Sequence, residues 1–161
     1  MFKKRENKTH SNYDKMLLEQ LTLLEESKLK PVLWNDNSKM YCQPVVLNGY
    51  QSLSIVLTGL LNINTIEGCK LTLVSKTDEL SRMSDSEIIK GEYSEVAKIG
   101  LTSFDIDLDQ ELIDFIHNNE IVSVKVETRN GQFRKKRLSF EFDNVNQDGL
   151  QTMAVFQEEE E

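Results

Sequence analysis

The chain has 161 residues, 27 of them acidic and 19 basic, a formal net charge of −8 and 39% hydrophobic side chains. That length fits one domain with a core of its own. The acidic balance excludes general nucleic-acid binding and docking on an anionic membrane, since both need a broad cationic surface.

Residues 1–11 carry Lys3, Lys4 and Arg5 and continue as polar residues, with no apolar stretch behind the charges. This is not the layout of a secretory signal, and a flexible polar tail on a cytoplasmic protein is expected. The longest apolar run, Leu53 to Leu61, is too short to span a bilayer and is broken by Ser54, Thr58 and Gly59, so no membrane insertion is expected.

A helix is predicted over 12–30. Asn12 is placed to cap it, and Pro31 stops it by forcing its predecessor out of the α region. Tyr13, Leu17, Leu21 and Leu24 share one face, broadened by Met16, Leu18 and Leu23. So apolar a helix must pack, in the first instance on its own domain; another protein or self-association with a second copy is the other option.

From 31 to 156 the sequence reads as a single β-rich domain. Strands are predicted at Val32–Trp34, at Met40–Leu47 with Pro44 marking an edge or bulge, at Tyr50–Leu60, and at Cys69–Ser75. Turns fall at Asn35-Asp36-Asn37-Ser38 and Asn48-Gly49. Cys42 and Cys69 have no CxxC partner and no nearby histidine, which predicts two reduced, buried thiols rather than a zinc site. Residues 76–95, rich in serine and acid, are expected to form a surface excursion with a short helix near Ser86 to Lys90.

The strand pattern resumes with Phe104, Ile106 and Leu108 alternating with Asp105, Asp107 and Asp109. The acids open like a calcium loop, but the sixth position is Gln110 and the twelfth Ile116, so no metal site is predicted. They are expected instead to lie near the basic strand described next and offset its charge. Asp109 is the predicted N-cap of a short inserted helix, Gln110 to Asn118, that turns Leu112, Ile113, Phe115 and Ile116 inward and ends with His117 partly exposed.

A β-hairpin is predicted from Ile121 to Phe142 around Asn130-Gly131. Its return strand opens with Arg134, Lys135, Lys136 and Arg137, the densest positive charge in the chain. A two-residue turn would pair Arg129 with Gln132 and put Val122, Val124 and Val126 on the face opposite Leu138, Phe140 and Phe142. Parity therefore predicts a three-residue loop with Gly131 left-handed, or a bulge within 134–137. The loop solution has Val122 meeting Leu138, Val124 meeting Lys136 and Val126 meeting Arg134. It turns Lys135 and Arg137 to solvent and leaves Arg134 and Lys136 on the apolar side. A last strand is predicted at Leu150–Phe156, before a disordered acidic tail at 157–161.

The pattern specifies a mainly β fold: an antiparallel β-sandwich or barrel-like domain with an N-terminal helix and one short inserted helix. No nucleophile motif, phosphate-binding loop or cofactor signature occurs, so a non-enzymatic protein–protein interaction module is the expected function. Arg134, Lys135, Lys136 and Arg137 are its candidate binding residues. The alternative expectation is a sensor holding an anionic metabolite or nucleotide at the same basic hairpin.

Overall fold

The computed structural model describes residues 2–27, 29–131 and 136–158, with side chains in the N-terminal helix from Asp14 onward. Two long strands, β2 (Ser38–Leu47) and β3 (Tyr50–Gly59), are joined by Asn48-Gly49. Both turn residues have positive φ, 53° and 78°, the conformation of a two-residue hairpin loop that Asn-Gly adopts readily. The resulting register sets Met40 against Leu57 and Cys42 against Ile55 on one face. β1 (Leu33–Trp34) pairs with β2 only at Lys39 and Met40, so at Pro44 the strand is bonded to β3 alone. A residue without an N–H is tolerated at such an edge.

β8 (Ile99–Asp107) continues this sheet beyond β3, followed by β7 (Glu92–Ser94), and β11 (Asn144–Val145) closes the far side next to β1. The second sheet runs β10 (Lys136–Phe142), β9 (Ile121–Asn130), β4 (Asn64–Ser75) and β5 (Glu79–Met83), with β6 (Ile89–Lys90) attached to β4. All pairings are antiparallel. Period-two alternation gives each sheet one apolar face. Leu53, Ile55 and Ile106 of the first sheet share one core with Leu71, Val126 and Phe142 of the second. A residual void in this core amounts to about 10 Å³, so the space between the sheets is filled with side chains. The fold is thus mainly β and sandwich-like, as the sequence predicts.

Helix α2 (Gln110–Asn118) has the predicted bounds, and Asp109 caps it by accepting from the Leu112 N–H at 2.8 Å. Its inward residues are the four predicted ones. Helix α1 (Phe2–Glu26) packs on its own domain through buried Leu17 and Leu21. It starts well before the predicted Asn12, so residues 2–11 of the expected tail are helical backbone, and it ends at Glu26 rather than at Lys30. Met16, Leu18 and Leu23, expected to broaden its packed stripe, are exposed. No described helix is long and apolar enough to cross a membrane.

Three other expectations are corrected. Residues 76–95 contain β5, β6 and β7 and no helix at 86–90, because β4 offers an unpaired edge that β5 takes from Val74↔Glu79 to Lys70↔Met83. Leu150–Phe156 is not a strand: α3 (Gln147–Met153) forms there, capped by Asn146, whose side chain accepts from the Gly149 N–H at 3.1 Å. Leu150 and Met153, three apart, both turn into the core. Gln157, assigned to the tail, exchanges hydrogen bonds with Gln51 in both directions (2.8 and 2.9 Å). Residues 159–161 of that tail lie outside the described residues.

Candidate interaction surface

The hairpin keeps the predicted parity with a different register. Thr128 opposes Leu138, Val126 opposes Phe140 and Val124 opposes Phe142, so both apolar sets share the core face. Gly131 is left-handed, with φ of 92°. The predicted partners are wrong because the connection is longer: Lys136 is the first residue to pair back, with Asn130. Asn130 is held at the hairpin base. Its side-chain oxygen accepts from the Asn64 N–H (2.8 Å), its amide donates to the Asn62 carbonyl (2.6 Å), and the Gly131 N–H donates to the Asn64 carbonyl (3.0 Å). These bonds tie the turn to the crossover between the sheets. Val122 departs from the apolar set. The β4–β9 register shifts between Val74 and Ser75, which buries Ile121 and Ser123 and leaves Val122 exposed.

The basic run divides by face. Arg137 lies on the outer face of the five-stranded sheet, directly across from Arg129. Lys136 lies on the other face, beyond the core, and both side chains are exposed. Arg134 and Lys135 lie outside the described residues. The outer face brings Arg129, Arg137, Lys70, Glu127, Glu67 and Met83 around one shallow depression of about 320 Å³. The register sets Lys70 against Glu127 and Lys125 against Glu141, two opposite-charge neighbours. Arg129 and Arg137 form a like-charge pair instead, which costs stability when no anion lies between. Neither makes an ion pair with a described residue.

Asp105, Asp107 and Asp109, expected near the basic strand, do not lie beside it. β8 lies on the β5 side of the sandwich, at the opposite margin of the molecule from β10. Asp105 and Asp107 stand beside Asp85, whose backbone N–H donates to the Asp105 carbonyl (2.8 Å). Burial, together with the charges of Asp105 and Asp107, raises the Asp85 carboxyl above its ordinary range. Asp109 is occupied by the helix cap and by Arg82 (3.1 Å), which also reaches Glu111 at 2.6 Å. Burial alone would raise Asp109; the Leu112 N–H and the Arg82 guanidinium outweigh it and hold the carboxyl low. Among the described residues, no three histidines, cysteines or carboxylates are placed to hold a metal ion. Exposed His117 bonds through Nε2 to the Ala154 carbonyl (2.8 Å), tying α2 to the end of α3. Cys42 and Cys69 are buried and unbridged, and burial pushes their thiols up to about 12 and about 11.

Sequence reading missed Arg129 and Lys70 as members of the cationic surface. Arg129 joins it only through the register with Arg137, and Lys70 only because β4 neighbours β9. Neither strand order nor loop length carries a local signal. No family model matches this chain, and no curated protein or solved structure matches it either.

Proposed function

We propose that this chain is a non-enzymatic interaction module of the cytoplasm, an adaptor or regulator that receives an acidic protein surface on the hairpin end of its five-stranded sheet. The observation that carries this reading is the Arg129–Arg137 pair, two exposed arginines directly across the ladder that line one depression, with no ion pair to a described residue. Carboxylates of a partner would relieve their repulsion with bidentate hydrogen bonds. Lys70 lines the same depression, Lys136 adds charge on the opposite face of the strand, and Arg134 and Lys135 precede them in the chain. The two buried, unbridged thiols fit a reducing compartment. With the net charge at −8, a local contact of this kind is favoured over general nucleic-acid binding. The exposed Met16, Leu18 and Leu23 of α1 support a further contact, to another protein or to a second copy of this chain.

Quantitative affinity capture with the full chain and with Arg129→Glu/Arg137→Glu tests the reading. Loss of a set of acidic partners from the variant supports it, and an unchanged set removes the hairpin from the interaction. The depression beside the arginines favours a second reading, a sensor for an anionic metabolite or nucleotide. A thermal-shift series with nucleotides and cyclic dinucleotides separates the two, because a ligand held by the native state raises Tm in a concentration-dependent way.

A further inference from the structure

β10 ends its sheet with a free side. It is seven residues long, pairs with β9 without a bulge, and has no strand beyond it among the described residues. The other terminal strands are shorter: five residues in β5, three in β7 and two in β11. The Glu141 carbonyl accepts from Asn35 Nδ2 at 3.0 Å, so it points away from β9. In an antiparallel strand the N–H and C=O of one residue point to the same side and alternate along the chain. Arg137, Ser139 and Glu141 therefore present their backbone groups to the open edge. Leu138 and Phe140, on the core face, are only half-buried at this rim.

A second strand completes such an edge, and the residues of β10 specify which one. We infer that β10 pairs with β10 of a second copy, antiparallel about a two-fold axis through Ser139. Open-edge residues pair only with open-edge residues, which limits the registers. Centring on Arg137 sets the two Arg137 side chains opposite one another. Pairing Arg137 with the partner's Ser139, or Ser139 with the partner's Glu141, sets no opposite charges of the two β10 strands across from one another, and centring on Glu141 sets two carboxylates opposite one another. Centring on Ser139 sets Arg137 opposite the partner's Glu141 twice on the outer face, and Leu138 opposite the partner's Phe140 twice on the core face. Opposite charges and apolar pairs directly across a ladder are the favourable combinations. The same surface serves both copies, so the contact closes and does not propagate. The half-buried Leu138 and Phe140 are covered, and the edge that would otherwise template aggregation is used up. Asn35 Nδ2 occupies the acceptor that the partner's Arg137 N–H takes in the pair, and its side chain yields at that point.

The inference shares Arg137 with the acidic-partner reading, but Glu141→Arg and Ser139→Pro test it with Arg129 and Arg137 in place, so the two can fail separately. Sedimentation equilibrium of the full chain tests it, with circular dichroism to confirm folding. The wild type should dimerise reversibly. Arg137→Glu and Glu141→Arg should each weaken the dimer roughly tenfold, since each turns two attractive pairs into repulsive ones, and the double swap Arg137→Glu/Glu141→Arg should restore it. Ser139→Pro deletes the central N–H without touching the β9 ladder and should weaken it as well. A chain that stays monomeric at about 1 mM overturns the inference. So does a dimer indifferent to these changes, or one dissolved only by Met16→Glu/Leu23→Glu, which would place the contact on α1.

Discussion

Single residues carry much of the stability at the margins of the two sheets. Asp109 holds the start of α2 through the Leu112 N–H and fixes Arg82 across from it. Asp109→Ala should cost about 1–2 kcal/mol in chemical denaturation. Its folded pKa lies below the unfolded one, so its contribution is complete above about pH 4 and is lost as pH falls through the folded value. Asp85 has the opposite sign. Its folded pKa is raised, so its ionised form disfavours the fold at neutral pH. Asp85→Asn should raise Tm at pH 7, and the gain should fade with added salt and as the solution approaches pH 3. A Cβ on Gly100 would stand 1.8 Å from the Leu61 carbonyl oxygen. Gly100→Ala should therefore cost about 2–3 kcal/mol, read from the denaturation midpoint. Native protein should resist thiol alkylation at mildly alkaline pH, with Cys42 and Cys69 reacting only after unfolding, because burial keeps both protonated.

Elements were legible where their signals were local. The Asn48-Gly49 turn, the alternation of Phe104, Ile106 and Leu108, and the Asp109 cap each lie within a few residues of what they cause. A left-handed Gly131 was legible as one of the two solutions that face parity offered, the other being a bulge within 134–137. The partners of the return strand were not, since parity fixes the face and leaves loop length open in steps of two. α3 was hidden by the alternation of Leu150, Thr152, Ala154 and Phe156; Leu150 and Met153, spaced for a helix, decided it once Asn146 supplied a cap. β5 was hidden because an edge strand with one solvated side needs little apolar content. At this scale Phe142→Ala should be severe: the side chain is fully buried beside Val124, and the change should lower stability by about 3–5 kcal/mol.

The molecule as a whole separates its charges. Acids gather around Asp85, Asp105 and Asp107 at the β8 margin, while Arg129, Arg137 and Lys70 outnumber Glu67 and Glu127 around the depression at the hairpin end of the other sheet. The sequence displayed the run from Arg134 to Arg137 but not its division between two faces or its enlargement by neighbouring strands, because those follow from strand order. An acidic protein with one cationic end is oriented by its field before contact, and its association with acidic surfaces should weaken with ionic strength. The most direct test of the proposed surface is site-specific photo-cross-linking in cells. A photoreactive residue is placed at Met83, beside the arginines, and compared with one at Val96, 85% exposed in the turn before β8. Adducts from position 83 that carry Asp- and Glu-rich partner segments, and that disappear with Arg129→Glu/Arg137→Glu, are predicted. Equal adducts from both positions, or adducts at 83 that survive the charge reversal, would contradict the account.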